Sequence, residues 1–175
     1  MSTTKLQKLV NNRFLFRLFL LKSLPMAFIA GIRVKEFTAE KAITSVKFGW
    51  LTQNPFRSMY FACEAMAAEM STGLLLMNGT YKSSPPVSML VRENKAVFYK
   101  KAVGQITFTC NDGKLIEEII AKAKQSGESV TVDIKSSGID AIGDKVAEFT
   151  FTWSVKVKTD KTPFTSPITI AAQMM

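Results

Sequence analysis

The sequence predicts one α+β domain in which antiparallel strands surround a single buried helix. Residues 59–76 contain only two charged side chains, Glu64 and Glu69, which is typical of a helix buried on all sides. Residues 146–157 alternate between apolar and polar side chains, which is typical of a strand with one buried face and one solvent-exposed face. At 175 residues, 47% of them apolar, the chain is long enough for one such core.

The remaining elements follow from shorter patterns along the chain. Strands are predicted over residues 32–37, 42–48, 87–99 with a turn at 93–95, 104–110, 129–135 and 146–157. Residues 114–125 carry one apolar stripe and are predicted to form a crossover helix on the surface. Asn54 or Ser58 is predicted to cap the start of the central helix. Either cap leaves unpaired backbone donors near residues 55–61.

The chain divides into three segments. Residues 1–30 are predicted to form an N-terminal amphipathic helix packed on the domain, residues 31–158 the domain itself, and residues 159–175 a loosely ordered tail. The helix prediction rests on apolar residues at helical spacing, Leu6, Leu9, Val10, Phe14 and Leu18. Charges and Pro25 interrupt the apolar run, so neither a spanning helix nor a cleavable signal peptide is expected.

Positive charge is concentrated at the N-terminus. The net charge is +9, and seven basic residues precede the first acidic one, Glu36. Such a block either forms a solvated face or meets an anionic partner, such as a phosphate-bearing ligand or a lipid surface. Residues 5–22 are therefore a candidate for peripheral membrane contact, against the simpler alternative of packing on the domain. Nucleic-acid binding is not expected, because Phe14, Phe16 and Phe19 have the helical spacing of core residues.

The absence of histidine excludes several kinds of chemistry. Ser-His-Asp and Cys-His catalysis and histidine-ligated zinc all require it. Cys63 and Cys110 read best as small core residues of a reducing compartment, so a cytoplasmic location is expected. No cluster of metal ligands or phosphate-binding loop is recognisable, and no metal or nucleotide cofactor is expected.

The two glutamates of the apolar helix are the candidate functional groups. An ionisable group inside a core must be paired with an opposite charge, be held in its neutral form, or serve a function that justifies the cost of its burial. Five residues apart, Glu64 and Glu69 project about 140° from each other on a helix and are not expected to form a carboxylate pair. Glu64 is interpreted as a rim residue that pairs with Arg57 or Arg92. Glu69 is either functional or a buried carboxyl satisfied by neighbouring groups.

Four motifs carry a family resemblance that spans about residues 5–158. They are Leu24-Pro25-Met26, Gly31-Ile32-Arg33-Val34, Asn54-Pro55-Phe56-Arg57-Ser58-Met59-Tyr60 and Ala67-Ala68-Glu69-Met70-Ser71-Thr72-Gly73. With these motifs the chain resembles a family of small uncharacterised hotdog proteins (DUF4442-like), relatives of acyl-CoA thioesterases. The order of strand, strand, buried helix and further antiparallel strands is similar to that of the hotdog fold, in which a curved sheet wraps one long helix.

The resemblance also implies a site. The phenylacetyl-CoA class of hotdog thioesterases carries an asparagine, then a histidine followed by two glycines, then an aspartate on the central helix, and this spacing falls on Asn54, Tyr60 and Glu69. Phe61 and Ala62 replace the glycines. The resemblance implies that Glu69 is the base or nucleophile, that Asn54 positions water, and that the Tyr60 and Phe61 amides face the thioester carbonyl. The expected substrate contacts are Arg57, Ser58, Ser71 and Thr72.

The expected function is hydrolysis of an acyl-CoA or acyl-carrier thioester, with coenzyme A as part of the substrate. Tyr60 and Glu69 lie about 13 Å apart along one helix, which is too far for one reaction centre. The resemblance implies that the acid comes from a neighbouring subunit, in a homodimer or a dimer of dimers. The alternative is a catalytically silent protein that binds an acyl chain or lipid.

Overall fold

A long central helix, α4 (Phe61–Thr80), lies against a curved six-stranded sheet. The computed structural model describes residues 4–158, so the predicted tail at 159–175 lies outside the described residues. The strands are β1 (Arg33–Phe37), β2 (Ala42–Lys47), β3 (Val87–Phe98), β4 (Gln105–Cys110), β5 (Val130–Ile139) and β6 (Lys145–Val157). The other helices are α1 (Lys5–Asn11), α2 (Arg13–Ser23), α3 (Pro25–Ile29) and α5 (Gly113–Ser126), with a short 3₁₀ turn at Trp50–Thr52. The predicted α+β architecture is confirmed.

The sheet has the order β1-β2-β4-β5-β6-β3, and neighbouring strands are antiparallel. Strand β3 is therefore an edge strand. The turn predicted at residues 93–95 is wrong, because β3 pairs with β6 from Val87 to Phe98. The pairing contains one register shift, between Val91 and Glu93.

Polar contacts fix α4 on the sheet in addition to apolar packing. The Thr44 hydroxyl of β2 donates to the Ala67 carbonyl at 2.6 Å. The Ser71 hydroxyl lies 2.8 Å from that of Ser136 on β5. These groups are buried, where an unpaired hydroxyl would be unfavourable, so the pairs select one rotation of the helix on the sheet.

Three short helices make up the N-terminal segment, where one amphipathic helix was predicted. Asn12 ends α1, and its side chain caps α2 by accepting from the Phe14 and Leu15 N–H groups. Pro25 begins α3. Leu6 and Val10 of the predicted stripe are buried, whereas Phe14 and Leu18 are exposed. Within residues 4–158, no helix is both long and apolar enough to cross a membrane.

We expect Gly113→Ala to lower the free energy of unfolding by about 1–3 kcal/mol. A Cβ at Gly113 would overlap the backbone of Ala39 and Glu40 in the turn between β1 and β2, and backbone atoms cannot move aside as a flexible side chain can. Urea denaturation measures the change.

Gly49→Ala is the matched control. A Cβ there meets nothing within 4 Å, and the φ of −178° is open to any residue. We expect a change below about 0.5 kcal/mol. Equal losses in the two variants would contradict the close packing of that turn on α5.

Candidate active site

A cavity of about 480 Å³ opens at the N-terminal end of α4. Its walls are the loop that precedes α4, the first turn of α4, and residues 98–102, from the last residue of β3 onward. Glu64, Tyr60 and Phe61 line it from the helix side. The helix start was predicted as the site from sequence, but the wall at residues 98–102 was not. That wall depends on where β3 ends in its pairing with β6, which no local pattern reveals.

Asn54 holds the loop before α4 in shape. Its Oδ1 accepts from the N–H groups of Phe56 at 2.9 Å and Ser58 at 3.3 Å, and its Nδ2 donates to the Ser58 Oγ at 3.1 Å and the Met59 carbonyl at 3.0 Å. The prediction that Asn54 or Ser58 caps the helix is therefore wrong, because both side chains close the loop on itself. Both amide hydrogens of Asn54 are engaged, which differs from the expected role of positioning water.

The N-cap of α4 is Tyr60, and no side chain among residues 4–158 caps the helix. The N–H groups of residues 56–60 all find acceptors, the last two in the Ala102 and Thr52 carbonyls. The Phe61 and Ala62 N–H groups receive no acceptor from residues 4–158. Unpaired backbone donors were predicted near residues 55–61. The structure places them at the first two amides of the helix, where the partial positive charge of the helix is greatest.

Glu64 lies in the first turn of α4 and is buried, with 3% of its surface exposed. Its Oε2 has no hydrogen-bond partner within the described chain. Burial raises the pKa of Glu64 from 4.5 to about 7. The predicted ion pair with Arg57 or Arg92 is wrong, because the side chain contributes to the cavity wall and makes no salt bridge with either arginine. Glu64 is therefore a candidate site residue, although the sequence indicated only a rim residue in an ion pair.

Glu69 is half-buried, and burial raises the pKa of its carboxyl. It sits against Gly73, where an added Cβ would come 3.1 Å from the Glu69 Oε1. Glu69 does not line the cavity at the helix start. A single chain therefore does not bring the Glu69 carboxyl together with the Phe61 and Ala62 amides.

The other predicted site residues divide between surface and core. Tyr60 and Phe61 are exposed and form an edge-to-face pair with ring centroids 5.1 Å apart. Arg57 is at the exposed tip of the loop, with a positive φ of 57°. Ser71 and Thr72 were expected to contact substrate, but both are fully buried in the core. Their hydroxyls are engaged with Ser136 and with the indole N–H of Trp153, so they hold α4 on the sheet instead.

Two lysines contribute positive charge to the cavity wall, Lys100 and Lys101. Lys100 forms ion pairs with Asp140 and Asp144 at 2.8 and 2.7 Å. The Lys101 ammonium donates to the Phe56 carbonyl at 3.4 Å. Among residues 4–158, no group of three or more potential His, Cys, Asp or Glu ligands is arranged to hold a metal ion.

Residues 12–155 match the family described as a domain of unknown function, DUF4442. The chain belongs to this family, as the sequence motifs indicated. No curated protein matches the chain significantly.

Solved structures of low sequence identity share the fold. A protein of unknown function from Pseudomonas aeruginosa, described as a probable thioesterase, is 22% identical with a TM-score of 0.68, over 82% of this chain and 96% of its own. A thioesterase from Haemophilus influenzae is 12% identical with a TM-score of 0.61, over 83% and 92% of the two chains. A variant of a thioesterase from Staphylococcus aureus is 13% identical with a TM-score of 0.55, over 73% and 94%. The predicted hotdog fold is confirmed.

We expect Glu64→Gln to raise the free energy of unfolding at pH 8 by on the order of 1–3 kcal/mol. Because the pKa of Glu64 is about 7 in the folded chain against 4.5 as its ordinary value, the folded state retains a proton that the unfolded state releases between these values. The carboxyl therefore destabilises the fold increasingly as pH rises from about 4.5 to about 7. Glutamine cannot ionise and removes this penalty.

Urea denaturation at pH 5 and pH 8 tests this prediction. The gain is expected at pH 8 and should be small at pH 5, where the folded wild type is mostly protonated at Glu64. Glu118→Gln, on the exposed side of α5, is the matched control and should change little at either pH. The same gain at both pH values would contradict the titration of a buried carboxyl.

Proposed function

We propose that this protein hydrolyses an acyl thioester, of the acyl-CoA or acyl-carrier type, in the cavity at the start of α4. The observation that carries the proposal is the pair of N–H groups at Phe61 and Ala62, which have no acceptor in the described part of the chain and lie beside a cavity that also holds the buried Glu64 carboxyl. The fold shared with solved proteins described as thioesterases supports this class of reaction.

The unpartnered amides supply the electrostatic part of the mechanism. A thioester carbonyl directed at the Phe61 and Ala62 N–H groups would be polarised, and the oxyanion that forms on attack would be stabilised by the same donors. An ionised Glu64 would put a second negative charge in this cavity. The neutral form of Glu64 is therefore the one compatible with the developing oxyanion.

Glu69 of a second subunit is the proposed base. It deprotonates the attacking water as the new C–O bond forms, and the oxyanion intermediate then collapses with cleavage of the C–S bond. The proton passes from the carboxyl to the leaving sulfur, which yields a carboxylic acid and a thiol. A second subunit is required because Tyr60 and Glu69 of one chain are about 13 Å apart along the helix.

Two features of the chain support pairing with a second copy. Strand β3 is twelve residues long and has no strand partner on its outer side in the described chain. Long unpaired edges are ready templates for pairing with another chain. On α4, a row of half-buried residues at helical spacing includes Glu69, namely Ala62, Ala65, Met66 and Glu69. We propose a homodimer, or a dimer of dimers, in which these surfaces are covered.

A non-catalytic acyl-chain or lipid binder is the alternative function. It is favoured by the aromatic rings of Tyr60 and Phe61, which line the cavity where the thioesterase class has less bulky residues. Such rings provide apolar surface for an acyl chain and can hinder the approach of a thioester to the backbone amides.

Glu69→Gln is expected to lower kcat/KM for acyl-CoA hydrolysis by about a hundredfold or more, the usual contribution of a positioned base. A panel of acyl-CoA chain lengths, followed by release of free thiol, measures the loss. The matched control is Glu117→Gln, an exposed glutamate on α5, which should retain wild-type rates. Tight binding of acyl-CoA without turnover by the wild type would favour the binding protein instead.

The pH dependence of hydrolysis tests the role of Glu64 separately. Activity should rise as Glu69 ionises, at a pH above the ordinary carboxyl range because burial raises its pKa. It should fall above about pH 7, where the Glu64 carboxyl, whose pKa is about 7, becomes charged beside the oxyanion. In Glu64→Gln the fall at high pH should disappear while the rise at low pH remains. An unchanged alkaline limb in this variant would contradict the role given to Glu64.

A further inference from the structure

Helix α2 leaves a row of large apolar side chains in solvent. The helix is apolar on nearly all sides, and within residues 4–158 the face that carries Phe16, Phe19 and Leu20 is buried. The opposite face carries Phe14, Leu18 and Leu21, which are 71%, 48% and 52% exposed. At intervals of four and three residues, these side chains form one continuous row on the helix surface.

The exposed apolar surface continues into α3. Leu24, Met26 and Ile29 are all exposed, and Met26 and Ile29 share one face of α3 because they are three residues apart. Arg17 ties the two helices together. Its guanidinium donates to the Phe28 carbonyl at 3.2 Å and lies 3.8 Å above the Phe28 ring. We call the six exposed apolar residues of this segment the α2–α3 face: Phe14, Leu18, Leu21, Leu24, Met26 and Ile29.

The sequence segment that carries the α2–α3 face contains basic residues and no acidic ones. Arg13 begins α2, and Lys22 follows Leu18 by one helical turn, on the same side of the helix. No acidic residue occurs before Glu36. Residues 14–29 thus combine six exposed large apolar side chains with charges that are all basic, which differs from single apolar residues scattered on a surface.

We propose that the α2–α3 face docks on an anionic lipid bilayer, with its apolar side chains entering the headgroup region and its basic residues meeting lipid phosphates. An anionic bilayer matches this surface in charge and polarity, because its phosphate headgroups form an anionic layer above the apolar layer of acyl chains. The face lies on the membrane and does not cross it, consistent with the absence of a spanning helix in residues 4–158. Docking is independent of the proposed hydrolysis.

Vesicle sedimentation with the full-length protein tests the docking. We expect binding to vesicles of phosphatidylcholine with phosphatidylglycerol, weak binding to phosphatidylcholine alone, and loss of binding as salt rises. The double variant Leu18→Ser/Leu21→Ser should bind the anionic vesicles at least about tenfold more weakly than the wild type. Arg13→Gln should weaken binding about fivefold, as removal of one surface charge does. Both changes are at exposed side chains, so folding should be preserved.

Ile142→Ser is the matched control, since Ile142 is 81% exposed in the turn between β5 and β6, outside the α2–α3 face. It should bind vesicles as the wild type does.

Equal binding to neutral and anionic vesicles, or wild-type binding by Leu18→Ser/Leu21→Ser, would overturn the proposal. A wild-type dimer in sedimentation velocity that becomes monomeric in the same double variant would also overturn it, because a second copy would then cover the face. Hydrolysis of a soluble short-chain acyl-CoA by the double variant is expected at wild-type rates and reports separately on the active site.

Discussion

The burial of α4 against the sheet determines which groups of this protein remain available for chemistry. Its middle is fixed by apolar packing and by buried polar pairs, such as Thr44 with the Ala67 carbonyl and Trp153 with Thr72. Because these pairs select one rotation of the helix, one row of residues is left half-exposed and the first turn faces a cavity. No side chain of the described residues caps the helix start, so within residues 4–158 the Phe61 and Ala62 amide hydrogens have no acceptor.

The two glutamates of α4 differ in surroundings and therefore in proposed role. Glu64 is enclosed, and its Oε2 has no partner within residues 4–158, so its ionisation would be coupled to the oxyanion that we propose for the cavity. Glu69 lies on the half-exposed row, where a second chain can approach it. One carboxyl is thus in the cavity of its own chain, and the other is on the surface that we propose as the dimer interface. In the proposed dimer, each reaction centre would combine Glu64 of one chain with Glu69 of the other, so its two carboxyls would come from different copies of α4.

Much of the fold was predictable because its signals are local and periodic. The apolar run of α4, the alternation of β6 and the stripe of α5 each reflect one element's own burial. The failures lie where tertiary contacts decide the outcome. Asn54 is of a residue type that commonly caps helices, but its side chain closes its own loop. Strand β3 continues through the predicted turn because β6 pairs with it throughout. Glu64 does not have the arginine partner that was predicted from its sequence neighbourhood. The exposure of Phe14 and Leu18 was hidden for the same reason, since a helix that is apolar on both faces does not show which face is packed.

The central claim is that the first two amides of α4 receive the carbonyl oxygen of an acyl thioester. Amide NMR of the ¹⁵N-labelled protein, titrated with a non-hydrolysable acyl-CoA analogue that keeps the carbonyl, tests it most directly. We predict that the Phe61 and Ala62 signals shift downfield and become protected from exchange, since unpaired donors gain an acceptor. Saturable binding of the analogue that leaves both signals in place, while amides elsewhere in the chain shift, would contradict the account.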